Sequence, residues 1–151
     1  MRPTRPLSVL PTQRGVSLIE ALVSVLILAI GLLGMLAMQG AALRNNQSAN
    51  ERTMAVVASY SIIDAMRANR LAALGGAYNY ALSAACPLPQ GATQANLDVQ
   101  QWITSLRTDL GPTACGNINC LNGLCQVTVA WDDTRGTQGA ALLQITTEVR
   151  L

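Results

Sequence analysis

A single carboxylate, Glu20, stands at the start of an otherwise uncharged apolar run, five residues after Gly15 in Gly15-Val16-Ser17-Leu18-Ile19-Glu20. A carboxylate at the centre of a bilayer costs about 2.5–3.5 kcal/mol on insertion scales, so an acid inside such a run calls for a counter-charge. The alternative is that Glu20 lies near enough to the interface to reach lipid headgroups. The other candidates for chemistry are four cysteines, Cys86, Cys115, Cys120 and Cys125, and the carboxylate pair Asp132-Asp133. The chain has no histidine, which removes the commonest general base and metal ligand and with it any Ser/His/Asp set. Four-residue gaps separate Cys115, Cys120 and Cys125, too wide for paired zinc thiolates or a C-x-x-C redox centre. An even number of cysteines in an oxidising compartment reads instead as two structural disulfides, with three pairings open. Asp132-Asp133, beside Thr134-Arg135-Gly136, reads as turn residues rather than as a catalytic or calcium-binding pair. We expect no enzyme activity, no cofactor and no metal.

The element that positions Glu20 is the run itself. Residues 21–38 contain no charge, no Asn, Gln or Pro, and only Ser24, Gly31 and Gly34 interrupt the aliphatic side chains. Such a run nearly crosses a bilayer core as a helix. Arg2, Arg5 and Arg14 precede it, and the next basic residue is Arg44, so the positive-inside bias keeps the N-terminus in the cytoplasm and the rest of the chain outside. The cysteines then fall in the extracytoplasmic part. A discarded secretory signal ending near Gln39-Gly40-Ala41-Ala42-Leu43 is the rival reading, against which stand the length of the run and its acid.

The chain of 151 residues is 50% hydrophobic and 12% charged, has no Phe, and carries ten basic residues that are all Arg. That length suits one domain with an anchor. Without residues 1–15, seven basic side chains face eight acidic ones, and this near neutrality argues against an electrostatic nucleic-acid site. From residue 39 to residue 70 the sequence is rich in helix formers and lacks Pro, so the apolar helix continues to about Asn69 or Arg70, a rod of roughly 80 Å. Ala55, Ala58, Ile62, Ala65 and Met66 form a stripe for packing on a sheet, while residues 44–52 are polar nearly all round. Asp64 and Arg67 are placed to pair at i, i+3. Gly75-Gly76 ends the helical pattern, and residues 77–91 read as a loop around Cys86. Val99, Trp102, Ile103, Leu106 and Leu110 share one face of a second helix stopped by Gly111-Pro112. Residues 113–123, rich in Gly and Asn, read as a segment that needs disulfides to hold it, with a short third strand near Leu121. Residues 125–131 alternate as a strand, and residues 141–149 form its antiparallel partner. The fold class is α+β.

Arg14-Gly15 followed by Val16-Ser17-Leu18-Ile19-Glu20-Ala21-Leu22 resembles the signal of type IV prepilins and type II secretion pseudopilins. In that family a basic leader ends in Gly, an apolar residue follows, and Glu is the fifth residue of the mature chain. The resemblance implies cleavage between Gly15 and Val16 by prepilin peptidase and methylation of the new Val16 amine, although Val stands where Phe is usual. It also implies docking of Glu20 on a neighbouring subunit's amine. Four further segments resemble PilV-type minor pilins, which take part in type IV pilus modification. They are Ala29-Ile30-Gly31-Leu32-Leu33-Gly34, Leu43-Arg44-Asn45-Asn46-Gln47-Ser48, Asp64-Ala65-Met66-Arg67-Ala68-Asn69-Arg70 and Val127-Thr128-Val129-Ala130-Trp131-Asp132-Asp133.

The family organisation implies a leader at 1–15, the transmembrane part of the helix at 16–38, its extracytoplasmic part at 39–70 and a disulfide-stabilised globular head at 71–151. It implies an inner-membrane subunit with a periplasmic head that passes to the cell-surface pilus. Its partners would be other minor pilins, the major pilin, the inner-membrane assembly machinery and membrane lipid, and its consequences twitching motility and adhesion. The runner-up is a type II secretion minor pseudopilin. A DNA-uptake receptor is a third reading, in which Arg67 and Arg70 would cluster near Tyr78 and Tyr80; four arginines at helical spacing, counting Arg44 and Arg52, are more often a solvated face.

Overall fold

The computed structural model describes residues 15–136 and 139–151. Helix α1 runs over Leu18–Ala68, α2 over Arg70–Leu74 and α3 over Gln94–Leu110, and strands β1 (Cys115–Leu121), β2 (Leu124–Trp131) and β3 (Leu143–Arg150) follow. The chain divides into two compact units after Gln39. In the first, α1 starts at a serine cap: the Glu20 N–H points to the Ser17 hydroxyl at 3.3 Å and to its carbonyl at 3.0 Å. With no proline to interrupt it, this part of α1 carries its aliphatic side chains exposed on every side.

In the second unit, α1 buries Ala55, Ser59, Ile62, Ile63 and Met66, a stripe at three- and four-residue spacing. Helix α3 starts at Thr93, whose side chain accepts the Asn96 N–H, and ends at Gly111 with φ 106°. Its buried face is Val99, Trp102, Ile103, Leu106 and Leu110, as the periodicity predicts, with Ala95 added. Trp102 ties the two helices by donating its indole N–H to the Ala58 carbonyl at 2.9 Å. A side chain on Gly116 would place its Cβ 2.1 Å from the Trp102 ring, so only glycine lets β1 approach α3 this closely.

The three strands form one antiparallel sheet in the order β1-β2-β3. Cys125, Val127, Val129 and Trp131 alternate inward along β2 and complete the core. One expectation needs correction. Residues 115–121, read mainly as loop, form the full strand β1, because Ile118 and Cys120 alternate inward against Asn117 and Asn119. The intervening Asn122-Gly123, with φ of 51° and 80°, is a two-residue hairpin turn that fixes the β1–β2 register. The long helix ends at Ala68, close to the expected Asn69 or Arg70, and after Asn69 the chain resumes as the short α2 up to Gly75.

Candidate functional site

The residues singled out at the N-terminus lie close together because they are close in sequence. Gly15 and Val16 precede the first turn of α1, Val16 is 72% exposed, and Glu20 occupies that first turn. There the carboxylate meets the positive end of the helix dipole, which suits an acid. The Ser24 hydroxyl donates to the Glu20 carbonyl at 2.7 Å, a bond internal to the helix. Among the described residues the Glu20 carboxylate has no ion-pair partner: the ion pairs are Arg67–Asp64 at 2.9 Å and Arg135–Glu51 at 3.3 Å. The apolar part of α1 is long and apolar enough to cross a membrane, and its side chains are exposed. An acid in the first turn of an exposed aliphatic segment can bind a cationic group presented by another chain in an apolar surrounding.

Cys86 and Cys115 form one disulfide and Cys120 and Cys125 the other. The first ties the loop before α3 to the start of β1. The second crosses the β1–β2 hairpin, whose register sets Cys120 opposite Cys125. Around Cys86, Tyr80 donates its hydroxyl to the Pro87 carbonyl at 2.6 Å, and Arg107 donates to the Cys86 carbonyl. Tyr80 also exchanges backbone hydrogen bonds with Ile118, both at 2.8 Å, covering part of the outer edge of β1.

Of the side chains that a nucleic-acid surface would need, Tyr78, Arg67 and Arg70 have other partners. Tyr78 is fully buried and donates its hydroxyl to Asp98 at 2.5 Å, so its ring offers no stacking face. Burial and the neighbouring Asp98 raise its pKa. Arg67 pairs with Asp64, and Arg70 donates to the Leu151 carbonyl. The two adjacent aspartates part company. Asp132 accepts the Thr134 N–H at 2.9 Å as a turn residue, and that bond lowers its pKa. Asp133 opens a turn as expected, its carbonyl accepting the Gly136 N–H at 2.9 Å, but its side chain is only 3% exposed and accepts a hydrogen bond from Ser48 of α1 at 2.9 Å. Glu51, in the stretch read as polar all round, is 6% exposed and is held by Gln47 and Arg135. Among the described residues no group of three metal-ligating side chains converges. The burial of Glu51 and Asp133 escaped the sequence reading because a polar residue in a polar run carries no burial signal.

A family model described as the prokaryotic N-terminal methylation motif matches residues 10–36. The match covers less than a fifth of the chain and includes Gly15, Val16, Glu20 and most of the apolar run. No curated protein and no solved structure matches. The motif, the long apolar helix, the small antiparallel sheet and the two disulfides together support a type IV pilin-like or pseudopilin subunit with an α+β fold. They imply membrane anchoring, processing by prepilin peptidase and assembly with pilus machinery.

Proposed function

We propose that this chain is a minor pilin of the PilV type, a structural subunit that joins other minor pilins at the inner membrane to prime assembly of a type IV pilus. The observation that carries the reading is the methylation motif placed on an exposed apolar helix with an acid, Glu20, in its first turn. The PilV-type assignment is supported by the four segments at 29–34, 43–48, 64–70 and 127–133. In this account residues 1–15 are removed, residues 16–38 anchor the subunit and later enter the filament core, residues 39–70 extend the helix, and residues 71–151 form the head. The Glu20 carboxylate pairs with the methylated Val16 amine of a neighbour, because water is excluded from the bundled helices and a buried charge is tolerated only beside its opposite. That pair sets the axial register of the subunit. The head supplies lateral contacts, at the tip or near it, and twitching motility and adhesion follow from the pilus that it helps to build.

The test is a tagged chain expressed from its own locus, with sheared filaments separated from membranes. The wild-type chain is expected in the pilus fraction, and its deletion is expected to reduce piliation. Glu20→Ala is expected to be cleaved normally but to remain in the membrane. Normal incorporation of that variant would remove the ion-pair mechanism. Intact piliation with lost protein secretion would assign the chain to a type II secretion system as a minor pseudopilin.

A further inference from the structure

Strand β3 is an unfinished edge. Its one hydrogen-bonded neighbour in the sheet is β2, and among the described residues no backbone group bonds to its other side. The free edge of β1, by contrast, is partly closed by Tyr80. The inward row of β3 is unfinished too: Leu143, Ile145, Thr147 and Val149 alternate toward the core but are only half-buried, whereas the matching row of β2 is fully buried. An edge with open backbone groups above a half-covered apolar row is shaped to receive another extended strand.

The sequence of the strand says which one. From Leu143 to Leu151 it reads Leu-Gln-Ile-Thr-Thr-Glu-Val-Arg-Leu, which is close to a palindrome about Thr147. Laid antiparallel on a copy of itself with Thr147 opposite Thr147, the inward row matches Leu143 with Leu151 and Ile145 with Val149. The outward row matches Gln144 with Arg150 and Thr146 with Glu148, so no like charges stand directly opposite. Moving the centre to Glu148 would set two carboxylates face to face.

The hydrogen-bond phase agrees. The Leu151 N–H donates to the Gly123 carbonyl at 3.0 Å, continuing the β2–β3 register in which Arg150 lies opposite Leu124. Odd-numbered residues of β3 therefore turn their backbone groups toward β2. Gln144, Thr146, Glu148 and Arg150 turn theirs to the free side. In the self-paired register these are the residues that exchange backbone bonds, Gln144 with Arg150 and Thr146 with Glu148, each twice by symmetry.

We propose that two copies of this chain pair through β3 in this register, joining their sheets into one continuous six-stranded sheet about a two-fold axis. The contact uses the head and holds whether the subunit serves a pilus or a secretion system. Anchoring both copies in one membrane raises their effective concentration, which suits a contact built on a single pair of strands.

The test uses the full chain in detergent micelles and in native membranes. Thr147→Cys places two thiols across the axis as a non-hydrogen-bonded pair, a spacing compatible with a disulfide. It is expected to give a covalent dimer under mild oxidation at least tenfold faster than Thr104→Cys on the exposed face of α3. Gln144→Cys and Arg150→Cys are each expected to cross-link efficiently only when mixed. Thr146→Pro deletes an outward N–H without touching the ladder to β2. It is expected to weaken the sedimentation dimer at least tenfold while leaving the fluorescence of buried Trp131 unchanged. Cross-linking of Thr147→Cys no faster than the α3 control, or a dimer that Thr146→Pro does not weaken in a folded head, overturns the proposal. Capture of β3 by a strand of a different subunit, with no homodimer, overturns it as well.

Discussion

Removing the two disulfides one at a time should separate a bond that holds the head together from one that duplicates what the turn already does. The pair Cys86–Cys115 closes a loop with a sequence separation of 29, and Cys120–Cys125 one with a separation of 5. On the chain-entropy scale those loops contribute about 3.6 and about 2.1 kcal/mol respectively. All four cysteines are at most 9% exposed, so substitution by Ala sacrifices similar packing in both cases and the difference of about 1.5 kcal/mol survives. It should widen further, because the Asn122-Gly123 turn already holds Cys120 opposite Cys125, whereas the segment around Cys86 has little regular structure to fix it. The assay is urea unfolding of the full chain in detergent, followed by the fluorescence of Trp102 and Trp131, both buried in the head. At a slope of about 1.5 kcal/mol/M, Cys86→Ala/Cys115→Ala should unfold about 1 M earlier than Cys120→Ala/Cys125→Ala. Equal midpoints, or the reverse order, would refute the reasoning.

Two further substitutions probe the core. Gly116→Ala forces a methyl into the Trp102 ring and should cost about 3 kcal/mol or more, read as a lowered unfolding midpoint; a midpoint within error of wild type would mean that β1 and α3 are not held this close. Tyr78→Phe removes the hydroxyl donated to Asp98 while Gln94 continues to donate to the same carboxylate at 2.6 Å, so the loss should be about 1.5 kcal/mol, the lower end for a bond to a charged group. Because the folded state raises the Tyr78 pKa above its ordinary value of 10.0, the stability contributed by the neutral phenol is complete below about pH 10 and lost as pH rises through the folded value. The unfolding midpoint of the wild-type chain should therefore fall at alkaline pH, and that of Tyr78→Phe should fall less steeply.

The legible parts of this protein are those whose signal is local. Helix α1 announces itself by an unbroken apolar run without proline, and α3 by Val99, Trp102, Ile103, Leu106 and Leu110 on one face with Gly111-Pro112 behind them. The N-terminal candidates are legible for the same reason, since Gly15, Val16 and Glu20 fall within two helical turns. Strand β1 was obscured by the low strand preference of Gly116, Asn117 and Asn119; pairing with β2 and burial of Ile118 override that preference. The Asn122-Gly123 turn was the available clue, because it predicts both the hairpin and the Cys120–Cys125 pairing. The buried carboxylates had no such clue. Glu51 and Asp133 accept hydrogen bonds from residues 84 and 85 positions away, Arg135 and Ser48, and no apolar periodicity in their own stretches marks them as buried.

Whether this chain is a processed, methylated subunit or a secreted domain is written at its N-terminus. Intact mass and N-terminal sequencing of the membrane-extracted chain, with a strain lacking prepilin peptidase as the control, give the answer in one experiment. A mature chain that starts at Val16 and carries one added methyl group is expected, with an uncut chain in the control. A chain that starts near Ala42 or Leu43 in both strains would mean that the apolar helix is discarded and that the protein is no filament subunit.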